Sequence, residues 1–504
     1  NPNLAQNVFI NEFMASNSTT ITDPDFNSYA DWIEIYNSGS TSVNLKNYYI
    51  TDDLSQPQKF KIQIDVIIDA NGYVLIWADE ANTGNHTNFK LSASGESIGL
   101  FNPFFEVIDT LTFGAQQTDV SAGRFPNGTN NWYTFSPATP GSNNLETGIY
   151  NLLPKPDISY LNGFYETPIA ISIAHTLPDV NIYYTVDGKI PDASSNLYTL
   201  PLQIDSTTVI RVRAFKDGYA PSITTTGTYF INEQIDLPVF SIATEPDNFF
   251  SDTAGIYVAG TNGIPGNCST QPRNWNQDWE RPIHLEFYEK DKSLAFNVNA
   301  GVQIYGGCSR LYPMKSLGFN FRSEYGTDKL QYRLFDDMQV NEFNNIILRS
   351  SGQDWWRTMF RDAMVQTLYE QGMKLDIQNY RPTVLFINGE YWGIHNLREK
   401  LNEHYVFYHY GVNKDNIDLV EIAKGVHANC GDLIAYNDMI DFLSTRNMSY
   451  QPNYDYIKSI IDLDEYIDYQ AAQIYSANGD WPGSNMKLWR ERVEGSKWRW
   501  MVYD

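Results

Sequence analysis

From about Asn7 to Glu146, apolar and polar residues alternate in short runs separated by turn residues: Val8 to Phe13, Trp32 to Tyr36, Tyr48 to Thr51, Tyr73 to Trp77. A period of two sends successive side chains to opposite faces, so each run reads as a strand with one face against a core. Many such runs at short spacing predict an all-β sandwich over residues 7–148. One sandwich cannot account for 504 residues. A single hydrophobic core stops growing well before that length, so about three domains are expected.

The pattern changes twice more. A Gly- and Asn-rich stretch around Gly141, followed by Pro154 and Pro156, marks a linker. Beyond it, "IYYTVDGKIP", "LYTLPLQI" and "TTVIRVRAFKDGYAPS" read as strand, turn, strand, with Asp187-Gly188 at a tight turn. These runs predict a second, smaller β-sandwich over 154–234. From 237 onward, strands ("RPIHLEFYE", "AGVQIYGG") give way to helix. "TMFRDAMVQTLYEQG" places Met359, Phe360, Ala363, Met364, Thr367 and Leu368 on one helical face and stops at Gly372. "YRPTVLFINGEYWGIHNLREK" is a hairpin turning at Asn388-Gly389, and further helices are expected around Ile457–Ile461 and Glu465–Asn478.

The net charge of −25 argues against nucleic acid as a partner, because phosphate backbones are repelled by such a field. Clustered carboxylates could instead hold divalent cations. The acidic loops Asp23 to Asp31 and Asp52-Asp53 lack the regular spacing of a calcium loop, however, and are expected to be solvated. No run of about 18 apolar residues suggests a membrane-spanning helix. The polar start, Asn1 to Gln6, has no basic-then-apolar leader, so the chain is either cytosolic or already relieved of a signal peptide. Cys268 and Cys308 lie in Gly-rich loops and could pair in an oxidising compartment, and three unpaired thiols with Cys430 is an equally open reading.

The strongest chemical signal is Asp480-Trp-Pro-Gly-Ser-Asn485, followed by a strand pair and Asp504. Phosphoryl transfer needs an acid to orient the attacking hydroxyl, then an amide and a second carboxylate to hold divalent metal on the phosphates. An Asp, four residues, an Asn, and an Asp beyond a β-hairpin is that set in kinases. Taken alone, the motif is equally a loop with helix-capping side chains. Upstream, Gly306 and Gly307 with Ser309, Arg310 and Lys315 could approach and neutralise phosphate. The bland counterpart is a hairpin turn with a surface Arg and a snorkelling Lys. His404 and His409 are explained by packing in a Tyr-rich helix.

Three resemblances sharpen this reading. "INEFMASN", "DWIEIYN", "YYITDD", "YVLIWADE", "LSASGESIGLFN" and "SAGRFPNG" resemble the lamin-tail domain of secreted bacterial proteins, which implies an immunoglobulin-like sandwich used for adhesion or spacing. The second segment is similar to the Fn3-like module appended to chitobiases. "WERPIHLEFYE", "AGVQIYGGCSR", "KSLGFNFRSEYG", "FRDAM", "NGEYWGIHNLREK" and "GSNMKLWR" resemble the CotH family of spore-coat protein kinases, over about Leu237 to Asp504. Together they imply a multidomain fold class: two all-β immunoglobulin-like sandwiches followed by an α+β two-lobed protein-kinase-like domain at 237–504, with an incomplete C-terminus.

The CotH resemblance also implies roles. Asp480 is the expected catalytic acid/base, and Asn485 and Asp504 the metal ligands. Lys315 is the expected phosphate anchor with Arg310 assisting, and Asp362, or alternatively Glu370, the helix carboxylate that orients it. Glu399 and Lys400 are expected to border the nucleotide. The cofactors implied are ATP with Mg²⁺ or Mn²⁺, and the acceptor is a Ser hydroxyl of a surface or secreted protein. The implied setting is extracellular, with attachment through the N-terminal modules or a region beyond Asp504. The residues before Asp480, Asn478-Gly479, depart from the usual His-Arg of kinases. A non-catalytic adhesion protein and a carbohydrate-binding protein are the alternatives.

Overall fold

The computed structural model describes residues 7–145, 149–336, 338–423 and 425–503. In the first segment, Val8–Met14, Asp31–Asn37 and Tyr73–Ala78 pair antiparallel and continue through Ser121–Arg124 and Trp132–Phe135. A four-stranded sheet of Phe60–Lys61, Tyr49–Thr51, Gly95–Phe101 and Val107–Gly114 completes the module. Phe13, Ile33, Ile35, Ile50, Ile76, Ile98 and Leu100 share one buried cluster. The alternation predicted one wet face on Asp31–Asn37, but both faces are dry. Glu34 is fully buried because Asn11 Nδ2 and the backbone N–H of Gly141 donate to its two oxygens, at 2.9 and 2.6 Å. A loop folded over the strand thus satisfies a polar side chain that the pattern assigned to water.

The second segment has its own core of Ile171, Ile182, Ile204, Ile210, Val212 and Tyr229. Its five-stranded sheet runs Gly163–Tyr165, Thr225–Ile231, Thr208–Phe215, Asn181–Thr185, Asn196–Leu197. The connection to the first module is itself structured: Ile149–Leu152 pairs with Trp132–Phe135 on one side and, in parallel, with Tyr219–Ala220 on the other. Phe230 and the half-buried Phe164 of the second module pack with Val239, Tyr288, Val384 and Phe386 of the third segment. Glu286 is buried at this seam, accepting from Asn162 Nδ2 and from Thr228 N at 3.0 Å, and burial pushes its carboxyl up to about 7.

The third segment begins with a closed seven-stranded barrel: Val239–Ala243, Arg281–Tyr288, Leu294–Tyr305, Ser316–Asn320, Asn345–Arg349, Glu390–Glu399 and Tyr380–Ile387. Closure comes from Val239–Ala243, which pairs antiparallel with Arg281–Tyr288 and parallel with Tyr380–Ile387, leaving no open sheet edge. Phe240, Phe287, Phe319, Leu348, Leu385 and Leu397 are buried in its core. The turn at Asn388 (φ 50°) and Gly389 (φ 84°) is left-handed at both central positions, as a two-residue hairpin of this hand requires. Beyond the barrel, Val426–Cys430, Ile417–Ile422, Met486–Glu491 and Arg499–Met501 form a four-stranded sheet, with helices at Ile434–Thr445, Gln451–Ile460 and Leu463–Tyr475.

The helix expected around 358–371 spans Arg361–Glu370, but its buried face differs from the expected one. Ala363, Gln366 and Tyr369 are buried, while Phe360, Met364 and Leu368 are exposed. Polar anchoring decides the rotation: Tyr369 Oη donates to Ala472 O at 2.7 Å, and Gln366 Oε1 accepts from Gln378 N at 2.8 Å. Apolar periodicity is blind to such bonds.

Candidate active site

Helix Leu463–Tyr475 aims the chain at the Asp480 loop. Its start is capped by Asp462, whose side chain accepts from Glu465 N at 3.5 Å. The Glu465 carboxyl reaches across to accept from Trp500 N at 3.0 Å, tying the helix to strand Arg499–Met501. Burial, with the nearby charge of Asp376 adding to it, pushes Glu465 up to about 9. After the helix, Ala477 takes a left-handed φ of 51° and the chain enters the loop.

Asp480 is exposed on that loop. Its backbone N–H donates to Asn478 Oδ1 at 3.2 Å, and its carbonyl accepts from Ser484 N at 2.9 Å. Among the described residues its carboxylate accepts no hydrogen bond. Asn485 is half-buried, left-handed at φ 57°, and opens directly into strand Met486–Glu491. That strand pairs antiparallel with Arg499–Met501 through Lys487↔Met501, Leu488↔Trp500 and Trp489↔Arg499. The pairing ends at Lys487↔Met501, two residues beyond Asn485. Asp504 lies outside the described residues.

Two buried polar knots hold this strand pair. Asp376 accepts from Trp489 Nε1 at 2.7 Å, Arg499 Nη2 at 2.9 Å and Tyr410 Oη, while its carbonyl accepts from Val502 N at 2.7 Å. Lys487 Nζ donates to Leu401 O at 3.1 Å and pairs with Glu421 at 3.2 Å. Burial alone would raise Glu421, but Lys487, Asn429 and Tyr503 outweigh it and hold the carboxyl below its ordinary value. Since Leu401 lies two residues past the barrel strand Glu390–Glu399, Lys487 joins the barrel to the sheet.

On the barrel side, the structure places the expected residues in different company. Lys315 precedes strand Ser316–Asn320 and is buried. Its Nζ donates to Arg310 O at 2.7 Å and Tyr312 O at 2.9 Å, lies 3.9 Å from the Trp275 ring centroid, and is pushed down to about 8 by burial. Arg310 braces the same turn, donating to Gly306 O and, at 2.9 Å, to Trp275 O. Asp362 is not the partner of Lys315. Its carboxylate takes Arg398 Nη1 at 2.9 Å, Arg349 Nε at 3.3 Å and Gln366 Nε2 at 2.8 Å. Burial opposes that charge, yet the two guanidinium groups outweigh it and hold Asp362 below the usual aspartate value. Burial pushes Arg398 down as well, but a guanidinium keeps its proton throughout the range where proteins stay folded. Glu370 is exposed on the same helix.

Glu399 is buried and fully engaged, accepting from Asn379 N at 3.1 Å, Asn379 Nδ2 at 2.9 Å and His409 Nε2 at 2.7 Å. It therefore pins helix Glu403–Tyr410 against the barrel exit. Lys400 beside it is half-buried, and burial lowers its ammonium. Sequence reasoning missed Arg349, Arg398, Asp376 and Lys487. Arg349 left one signal: it is the last residue of an apolar strand run just ahead of the helix. A cavity of about 530 Å³ opens on the second module between Thr185 and Asn196 and touches Glu245, sharing no residue with the Asp480 loop.

Comparison with known proteins finds three family models along the chain. Residues 302–504 match the family model of the CotH kinase protein, residues 1–115 that of the Lamin Tail Domain, and residues 161–226 that of the Chitobiase/beta-hexosaminidase C-terminal domain. The first two barrel strands and the start of the third lie ahead of the CotH match. No curated protein matches the chain. Solved structures with some likeness include murine CEACAM1b (9% identity, 40% of this chain, 92% of that one, TM-score 0.12). Drosophila N-cadherin EC1-3 (10% identity, 51% and 88%, TM-score 0.11) and a biofilm-associated protein BSP domain (11%, 62% and 64%, TM-score 0.13) are others. Scores this low say nothing about the fold.

Proposed function

We propose that this CotH-like chain, with lamin-tail-like and chitobiase-type modules in front, transfers phosphate from ATP to hydroxyl groups of surface or secreted proteins. The observation that carries the reading is the exposed loop Asp480–Asn485, set between helix Leu463–Tyr475 and strand Met486–Glu491, which pairs with Arg499–Met501 just ahead of Asp504. Asp480 orients the acceptor hydroxyl and receives its proton. Asn485 and Asp504 supply hard oxygen donors, the kind that Mg²⁺ and Mn²⁺ take. ATP and metal, when bound, supply the phosphoryl group and neutralise its charge. Arg349, at the end of its strand and held by Asp362 on the following helix, takes the phosphate-anchoring role in place of Lys315. Lys315 and Arg310 instead shape the Gly306-Gly307 turn. A kinase-like two-lobed arrangement follows, with the closed barrel as the strand-rich lobe.

An extracellular setting is supported by Cys268 and Cys308, which are bridged with Cα atoms 5.1 Å apart. Such bonds persist in oxidising compartments. No helix of the described residues is long and apolar enough to cross a membrane, and the front modules suit attachment. The test uses full-length protein, Mn²⁺ and labelled ATP. Asp480→Ala abolishes transfer while nucleotide binding survives; Asp504→Ala weakens metal-dependent nucleotide binding. Arg349→Met weakens nucleotide binding and Lys315→Met leaves it largely intact. If the native protein neither binds, hydrolyses nor transfers from ATP, the kinase reading fails and a non-catalytic role in surface adhesion replaces it.

A further inference from the structure

The acidic loop beginning at Asp23 is not solvated throughout. Asp23 is fully buried, and its two oxygens have different fates. Oδ1 accepts from Asp25 N at 2.9 Å, whereas Oδ2 is buried with no hydrogen-bond partner. That orphaned oxygen lies 3.8 Å from His86 Nδ1. The same nitrogen is 2.7 Å from Asp79 Oδ2, while Asp79 Oδ1 accepts from Ala81 N at 3.1 Å. The three ligand-type atoms lie within 4.8 Å of one another, the only such group among the described residues. On the far side of the ring, His86 Nε2 is 3.1 Å from Asp25 Oδ2, and Phe26 covers the ring edge-on with centroids 4.8 Å apart.

We propose that Asp23, Asp79 and His86 form a divalent-cation site in the lamin-tail-like module, of the class taken by Zn²⁺. An unpartnered buried carboxylate oxygen is costly, and it is rare without a ligand to explain it. One imidazole nitrogen with two carboxylate oxygens is a three-ligand set that leaves a fourth tetrahedral position for water or an exogenous donor. Bonds of about 2.0–2.1 Å require ligand atoms about 3.3 Å apart in a tetrahedron, midway between the two separations to Nδ1 seen here. Asp25 supplies the outer partner: Nε2–H donates to it, which turns the Nδ1 lone pair toward the two other carboxylates. The nitrogen donor disfavours Ca²⁺, which takes six to eight oxygens, and favours first-row metals. By joining the loop carrying Asp23 to the one carrying Asp79 and His86, the cation would staple one end of the module. The rival arrangement is an imidazolium clasped by the three carboxylates with no metal.

The test is a Co²⁺ titration of the full-length protein with excess Mg²⁺ present to occupy oxygen-only sites. One equivalent should give the visible absorption bands of tetrahedral Co²⁺, displaceable by Zn²⁺. The bands should vanish in His86→Gln and Asp23→Asn and stay unchanged in Asp480→Asn. Asp25→Asn, at an exposed outer position, should keep the bands with affinity weakened about 10- to 100-fold. Zn²⁺ should also raise the melting temperature of the native protein and of Asp25→Asn, so an unfolded His86→Gln does not leave the question open. Absence of the bands in the native protein, or their persistence in folded His86→Gln, overturns the proposal in favour of the imidazolium clasp.

Discussion

Replacing Asp362 with asparagine removes the larger of the two carboxylate charges that compensate Arg398, a side chain with 1% of its surface exposed; Glu399 is the lesser. Without it, the Arg398 guanidinium keeps a long contact of 3.4 Å to Gln378 O and the weaker attraction of Glu399. Breaking a buried ion pair by removing one partner costs about 3–5 kcal/mol, because the remaining charge stays buried without compensation. Arg349 is less enclosed, at 15% exposure, and can turn part of its charge to water. The lower end of the range, about 3 kcal/mol, is therefore expected for Asp362→Asn, a reduction of roughly 100-fold in the folded-to-unfolded ratio. A chain of several modules does not unfold in one step, so the assay is native-state hydrogen exchange in strands Asn345–Arg349 and Glu390–Glu399. Protection there should fall by that factor, while strand Val8–Met14 of the first module is unchanged. The folded-state carboxyl lies below its ordinary value, so its contribution is fully present above the unfolded value of about 3.9 and disappears as pH falls through the folded one. The difference between native and variant should thus persist from pH 8 to about 5 and narrow only in acid. A loss under about 1 kcal/mol at neutral pH, the range of exposed pairs, would refute the claim that Arg398 is a buried, compensated charge.

Glu465→Gln should stabilise the C-terminal sheet in alkaline solution. Its folded-state value, raised by burial to about 9, means that its contribution is complete below the unfolded value and is lost as pH rises toward 9. The variant's melting temperature should exceed that of the native protein at pH 8.5 and match it at pH 4; the opposite order would show that Glu465 is ionised in the fold. Cys308→Ser opens a loop whose ends are 40 residues apart, and the chain-entropy relation puts the loss at about 4 kcal/mol. Urea unfolding of the barrel should shift accordingly in Cys308→Ser and in reduced native protein alike, and equal stability with and without reductant would show the bridge to be absent in solution.

Local pattern made the strand-rich half of this chain legible. A two-residue period, Asp-Gly and Asn-Gly turns, and proline-marked boundaries all act over a few residues, and physical constraints of that range are written into neighbouring positions. The Asp480–Asn485 loop was readable for the same reason, since its spacing is short and its flanking helix and strands are strongly patterned. What lay beyond reach depended on residues distant in sequence. Closure of the barrel is decided by Val239–Ala243 meeting Tyr380–Ile387, a pairing between strands about 140 positions apart. Lys315 had two candidate carboxylates on the helix, Asp362 and Glu370, and only the packed structure puts Arg349 and Arg398 against Asp362 and turns Lys315 onto two carbonyls and a Trp ring. Asp23 makes the same point from the other direction. A run of acidic and polar residues looks like a wet loop in one dimension, and it becomes a dry carboxylate only when His86, 63 positions further on, is folded over it.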